Sequence, residues 1–222
     1  MDEIARYNYR RWQALAKANA VFTRPLLDLT PADAREIVDP YGDLGDVAGR
    51  PVLCLASGGG QQSVAFALLG AQVTVVDLST AQLDRDREAA AHYGLTLTAI
   101  EGDMRDLSAF APESFDRVLQ PISTLYTTDL PAVYAELFRV LRPGGVYAAD
   151  YTFPLLYMAQ VLGWDGSGYV LRVREPYRRG EIRERPAPAE DLERLMNAPD
   201  PRKTETASPW ISSFSEGEPV GE

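Results

Sequence analysis

The chain has 222 residues, 45% hydrophobic and 24% charged, values that suit one globular domain with a sizeable core. Its formal charge of −10 argues against nucleic acid and anionic membrane surfaces as partners, because both are bound by clustered Lys and Arg. The single cysteine excludes an internal disulfide and a cysteine-built metal site. No apolar run approaches a membrane span, and the charged start MDEIARYNYRRW is no signal peptide, so a cytoplasmic enzyme-like domain is expected.

In YRRWQALAKANAVF, residues Trp12, Leu15, Ala16 and Val21 recur at about helical spacing, up to the interruption at Pro25. Thr30 before Pro31 reads as an N-cap with proline in the first turn of a short helix that ends at Val38, ahead of Pro40. The loop YGDLGDVAGRP then delivers the chain to a run of alternating strands and helices. The strands are placed at Val52–Ala56, Gln72–Asp77, Leu95–Glu101, Phe115–Gln120 and Gly145–Thr152. The helices are placed at Gln62–Leu69, Thr80–Tyr93 and Leu130–Leu141. Ser79 caps the second of these helices and Gly94 ends it, while Asp129 caps the third. Apolar strands alternating with helices predict an α/β fold, a doubly wound parallel sheet with helices on both faces. Beyond Thr152, a helix is expected over Pro154–Leu162 and a strand over Tyr169–Val173. The Pro-rich, charged stretch after Arg185 is expected to be disordered. The expected organisation is a helical lid or cap over 1–50, a cofactor-binding core over 51–163, a partial strand region over 164–185 and a tail over 186–222.

The string VLCLASGGGQQ, residues 52–62, carries the most information. A buried strand that breaks into a glycine turn and opens a helix lets backbone approach a ligand, and aims free N–H groups and a helix N-terminus at it. Asp77 closes the second apolar run, Val73–Val76, and so stands where an acid grips two ribose hydroxyls. A nucleoside-bearing cofactor follows. The turn alone does not choose among NAD, FAD and S-adenosylmethionine, although Ser63 occupies the place of the third dinucleotide glycine and fits that role poorly. Further along, Gly102 and Asp103 follow the third strand, where an acid can accept from an adenine amine, and RVLRPGG, residues 139–145, joins the third helix to the fifth strand.

In that order, these motifs resemble the class I S-adenosylmethionine-dependent methyltransferases, from about Val52 to Thr152. The resemblance implies a Rossmann-like sheet and S-adenosylmethionine as cofactor. It places the methionine end of the cofactor at Ala56, Ser57, Gly58 and Gly60, the ribose at Asp77 beside Leu78, and adenine at Asp103 beside Met104. Gln120 would face the methyl donor and the acceptor. The implied reaction is methyl transfer to a small molecule by in-line displacement, driven mainly by positioning. No metal is implied. No catalytic residue is assigned, because the one histidine, His92, lies far from the strand tips, and QPIS (residues 120–123) is unlike the Asp-Pro-Pro-Tyr-type string of nucleic-acid amino methyltransferases. Gln120, Tyr126 and Tyr151 are the candidates for acceptor contacts, with Ser123 and Thr124 bordering the same pocket.

The chain departs from the family twice. Cys54 stands where an acid is frequent in the first strand, and Ala56 replaces the first glycine of the turn, a change that is tolerated if φ there is negative. The family also continues to two further strands. The close GEPVGE reads as an approach to them, so an incomplete fold is expected, with the edge near Val146 and Ala148 unpaired and cofactor binding without efficient turnover. Two rival readings remain: an NAD(P)-dependent oxidoreductase, and an S-adenosylmethionine-binding module without turnover. Blander roles also stand beside the sharper ones. Cys54 is a small core hydrophobe, Asp77 and Asp103 cap their own loops, and Tyr7, Tyr9 and Trp12 either pack a helix or form a lid.

Overall fold

The computed structural model describes residues 1–150, 159–164 and 169–173. The chain divides into two compact units, Met1–Tyr151 and Thr152–Glu222.

In the first unit, α1 (Glu3–Lys17) starts where the Asp2 side chain accepts the Ala5 amide, and α2 (Pro31–Val38) starts in a reciprocal capping box between Thr30 and Asp33. The chain then lays down β1 (Pro51–Leu55), α3 (Gln62–Leu68), β2 (Gln72–Asp77), α4 (Thr80–His92) and β3 (Thr98–Glu101). After these come β4 (Phe115–Pro121), α5 (Leu130–Val140) and β5 (Leu141–Asp150). All five strands are parallel, in the order β3-β2-β1-β4-β5. Strand order therefore reverses between β1 and β4, and in such sheets the ligand crevice lies beyond the carboxyl ends of the strands at that point.

Alternation along β1 explains the two faces. Val52 and Cys54 pack with Val73 and Val75 of β2 and with α2, α3 and α4 through Ala34, Phe66, Leu83 and Ala89. Leu53 and Leu55 pack on the other face with Val118 and with Val133, Leu137 and Val140 of α5. Cys54 is a free, fully buried thiol in this core, its proton held by burial.

The predicted parallel sheet and its helices are present, with shifted ends. β3 begins three residues later than expected, because the end of α4 claims Leu95. Gly94 turns left-handed at φ +65°, its N–H reaches the Ala91 carbonyl at 3.1 Å, and the Leu95 N–H reaches that of Ala90 at 2.8 Å. β5 begins earlier than expected, at Leu141, and a bulge opposite Asp116 absorbs the residues around Gly144.

In the second unit, β6 (Ala159–Trp164) and β7 (Tyr169–Val173) pair antiparallel, with Trp164 opposite Tyr169. β7 lies where the alternation placed it. The helix expected over Pro154–Leu162 is overturned by β6 from Ala159 onward, and its earlier part lies outside the described residues. The four residues between the strands read DGSG, a turn sequence that selects a hairpin over a helix for the apolar run before it. The expectations for the tail over 186–222 and for the final strands fall outside the described residues.

Candidate cofactor site

The site grows from the end of β1. The Ala56 N–H still joins the ladder, donating to the Val76 carbonyl at 2.7 Å, but the residue itself turns left-handed at φ +47°. The expected negative φ is thus corrected. The chain must leave the sheet immediately after its last ladder bond, and alanine takes a conformation that costs an L-residue about 1–2 kcal/mol. Gly59 and Gly60 follow at φ +131° and +75°.

All three glycine amides meet carboxylates. The Gly58 N–H donates to Asp77 Oδ2 at 2.9 Å, the Gly59 N–H to Asp86 Oδ2 at 3.1 Å and the Gly60 N–H to Asp86 Oδ1 at 3.1 Å. The Ser63 hydroxyl adds a third bond to Asp86. The expectation that these amides are free for a ligand is therefore overturned. Asp77 also accepts the Ser79 N–H through Oδ1 at 2.8 Å. Burial pushes its carboxyl above the usual range, against the lowering effect of the two amides. Asp86, fully buried within α4, is pushed up to about 7 by burial, although Ser63 and the turn amides favour its ionised form and the charge of Asp77 opposes it.

Packing leaves little slack around the turn. A Cβ on Gly58 would stand 2.7 Å from the Gln82 Cβ and 3.1 Å from Asp77 Cγ. A Cβ on Gly60 would stand 2.6 Å from the Arg85 carbonyl oxygen and 2.9 Å from the Pro25 Cβ. The segment before α2 braces the turn from outside. Gln61 donates to the carbonyls of Phe22 and Arg24, and the Leu26 N–H donates to the Gly60 carbonyl at 3.2 Å.

The other expected residues lie beyond β2, β3 and β4. Ser57 is buried beside Gln62, its hydroxyl 3.4 Å from Gln62 Oε1, and Leu78 is half-buried next to Asp77. Asp103 follows β3 and is forked by Arg105, with Nε on Oδ1 at 2.9 Å and Nη2 on Oδ2 at 2.6 Å. Partial burial raises its carboxyl, but Arg105 outweighs that and the net shift is downward. Gln120, at the end of β4, is fully buried. Its Nε2 lies 3.2 Å from Met104 Sδ, and its Oε1 accepts the Tyr147 hydroxyl at 2.8 Å. Ser123 and Thr124 sit in a 3-10 turn after β4 (Ser123–Tyr126), where their buried hydroxyls have no hydrogen-bond partner, and Gln82 Oε1 is likewise unpartnered. His92 is exposed on the far end of α4, stacked edge-on to Tyr93. Tyr151 lies outside the described residues.

Asp86, Gln82 and Gln13 are site residues that sequence reasoning passed over. One signal was available for Asp86: it falls at helical spacing between Leu83 and Ala90, an acid on a face otherwise apolar. Gln13 of α1 receives the Ser79 hydroxyl at 2.8 Å and the Ala81 N–H at 2.7 Å, and donates to Thr80 Oγ1 at 2.8 Å. Among the described residues, no group of three or more His, Cys, Asp or Glu could hold a metal, and no helix is long and apolar enough to cross a membrane.

A parallel sheet with a glycine turn at its switch point and an acid at the next strand tip defines a domain for nucleoside-bearing ligands. Residues 53–149 match the family model described as "Methyltransferase domain". The uncharacterized methyltransferase YbaJ of Bacillus subtilis is 41% identical over 112 residues, covering 50% of this chain and 44% of that protein. An uncharacterized protein of Mycobacterium tuberculosis is 33% identical over 153 residues, covering 65% of this chain and 51% of the other. A crystal structure of a Pyrococcus horikoshii protein superimposes with a TM-score of 0.52 at 26% identity, covering 67% of this chain and 78% of that one. The chain spans about half the length of the curated relatives it matches. Over residues 53–149 the chain is similar to methyltransferase domains, and S-adenosylmethionine is the cofactor that this likeness implies. The residues present fit that group. Asp77, and Asp86 when ionised, put negative charge behind the turn for a sulfonium cation, and the Gln82 amide, whose Nε2 donates to the Gly58 carbonyl at 3.2 Å, keeps a buried, unpartnered Oε1 beside the turn.

Proposed function

We propose that the protein is a cytoplasmic enzyme that transfers the methyl group of S-adenosylmethionine to a small-molecule acceptor. The observation that carries this reading is the occupancy of the glycine amides by Asp77 and Asp86. A dinucleotide would bring a pyrophosphate that needs such amides free and is repelled by two carboxylates, whereas a sulfonium ligand is attracted by them. This disfavours the oxidoreductase reading.

S-adenosylmethionine supplies a methyl group whose leaving group is already activated. The work left to the chain is alignment, and holding donor and acceptor in line lowers a barrier by about 7–11 kcal/mol. Asp77 accepts the two ribose hydroxyls on lone pairs not used by Gly58 and Ser79. Asp103, fixed by Arg105, accepts the adenine amine, and Leu78 and Met104 wall the base. Ala56, Ser57, Gly58 and Gly60 shape the pocket for the methionine end. Gln120, bridging Met104 to Tyr147, forms the floor beneath the methyl. The unpartnered hydroxyls of Ser123 and Thr124 face the acceptor, whose chemistry the net charge of −10 turns away from nucleic acids.

Calorimetry with S-adenosylmethionine and with NADH tests the cofactor, and binding of NADH alone would refute the proposal. Incubation of the protein with methyl-labelled cofactor and a metabolite extract tests turnover. Release of S-adenosylhomocysteine with a labelled small molecule is expected, and cofactor binding without any release would mark a binding module instead.

A further inference from the structure

Resting on the S-adenosylmethionine reading, we infer that Asp86 is a positioning residue whose ionised carboxylate holds the glycine turn in the shape that receives the cofactor, acting through Gly59, Gly60 and Ser63 without touching the ligand. The two carboxylate oxygens of Asp86 collect three donors from two segments, the turn and the start of α3. Gly59 and Gly60 both lie at positive φ, outside any ladder or helix; the Leu26 N–H holds the Gly60 carbonyl, and the Asp86 carboxylate holds both amides in this turn conformation. From β1 the buried Cys54 thiol lies near enough to feel the Asp86 charge, and a thiol is a weak partner that cannot replace a carboxylate. A protonated acid gives up an acceptor position and weakens the remaining bonds, so the holding function belongs to the charged form.

The surroundings make that charge adjustable. Asp77 faces Asp86 from β2 and Cys54 faces it from β1, while α3 contributes the neutral Ser63. From the braces around the turn, Arg24 donates to the Asn19 carbonyl at 2.9 Å. Lys17 of α1 and Asp84, Arg85 and Glu88 of α4 line an open groove between the two helices, whereas Asp86 itself is fully buried. Burial leaves Asp86 titrating at about 7. A bound sulfonium and ammonium favour the ionised form, so cofactor binding and proton release are linked.

The test is calorimetry of S-adenosylmethionine binding to the wild type, Asp86→Asn and Ser63→Ala between pH 6 and 8.5, in buffers of different ionisation enthalpy so that released protons are counted. Wild-type affinity is expected to rise several-fold across this range beyond the change seen in Asp86→Asn, with proton release that the variant lacks. The cofactor's own amino group titrates in both proteins and cancels in the comparison. At pH 8 Asp86→Asn is expected to bind at least tenfold more weakly. Ser63→Ala, which removes one bond that favours the ionised form, is expected to move the wild-type midpoint to higher pH. A purely structural role would lower the melting temperature of Asp86→Asn but leave its profile parallel to the wild type, and parallel profiles overturn the inference. If Asp86→Asn does not fold, Ser63→Ala decides, and an unmoved midpoint overturns it. A wild type that binds no S-adenosylmethionine at any pH overturns the proposed function and this linkage together, whereas binding with parallel profiles overturns the linkage alone.

Discussion

Asp77 and Gly58 lock together in two ways: the Gly58 amide donates to the Asp77 carboxylate at 2.9 Å, and the glycine's missing Cβ leaves the room that Asp77 Cγ occupies, 3.1 Å from where that Cβ would stand. The sequence suggests that Gly58 is small to admit a cofactor. In the structure its smallness admits the acid and Gln82. One carboxylate therefore anchors the turn at the position proposed for the ribose.

Asp77→Ala is accordingly expected to weaken S-adenosylmethionine binding at least tenfold and to lower the melting temperature as well. Hydrogen bonds to a charged group are worth about 1.5–3 kcal/mol each, and this substitution removes those to Gly58 and Ser79 along with the proposed ribose contacts. Calorimetry beside thermal melts monitored by circular dichroism separates the two effects. A destabilised variant with undiminished affinity would remove Asp77 from the ribose site.

Gly60 and Gly94 form a matched pair, both at positive φ, +75° and +65°. Only at Gly60 would a Cβ meet backbone, 2.6 Å from the Arg85 carbonyl oxygen; nothing lies within 4 Å at Gly94. Gly94→Ala should cost about 1 kcal/mol, the conformational penalty alone, and Gly60→Ala several times that, because α4 must move away from the turn. Urea titrations of the two variants measure the gap, and equal costs would mean that the contact of α4 with the turn is loose.

Ala56 carries the same penalty without a glycine to absorb it, at φ +47°. Ala56→Gly removes the Cβ clash while raising the entropy of the unfolded chain, and the first effect is the larger for a left-handed residue. A net stabilisation of about 1 kcal/mol is expected in urea titration. Destabilisation would show that the Ala56 methyl packs usefully against its neighbours.

Stability should depend on pH with an unusual sign. Asp86 titrates at about 7 in the folded protein, above its ordinary carboxylate range when unfolded, so between those values the folded state holds a proton that the unfolded chain has lost. The folded state is therefore favoured at low pH, and this contribution drains away as pH rises through about 7, by about 4 kcal/mol in all. Asp77 and Asp150, also raised by burial, act in the same direction. Asp2 and Asp103, held down by Arg105, act oppositely, below the ordinary carboxylate range. Urea denaturation is expected to show greater stability at pH 5.5 than at pH 8, with the slope reduced in Asp86→Asn. A stability that rises over this interval in the wild type contradicts the assignment.

The features legible in the sequence are those written locally. Thr30, Ser79 and Asp129 cap the helices they precede, and Gly94 ends α4, because capping chemistry spans only a few residues. The β1 turn and Asp77 were legible because a glycine run and a strand-tip acid keep a fixed spacing in βαβ units. Asp86 was not, because its partners are the amides of Gly59 and Gly60, far away in sequence, and nothing in an amphipathic pattern says that a buried acid has found backbone donors. The strand Ala159–Trp164 reads as helix from sequence for a related reason: a short apolar run is ambiguous until its pairing with Tyr169–Val173 is known.

Helix α1 ties together the loops that follow three strands. Gln13 holds Ser79 and Ala81 after β2, Asp2 pairs with Arg105 after β3, and the Asn8 amide donates to the Tyr126 carbonyl after β4 at 2.8 Å. Trp12 fixes the same helix by edge-on contacts with Phe22 at 5.8 Å and Tyr126 at 5.6 Å. Asp77 stands at the head of the first of these loops and Asp103 lies in the second, so on the proposed placement of ribose and adenine a cofactor entering between them loosens the strap. Gln13→Ala combined with Asn8→Ala removes two of the three ties, each worth about 1 kcal/mol. Association and dissociation of S-adenosylmethionine, followed by stopped-flow tryptophan fluorescence, are both expected to quicken, with a smaller change in their ratio. Unchanged rates in a variant that is merely less stable would show that α1 packs against the site without gating it.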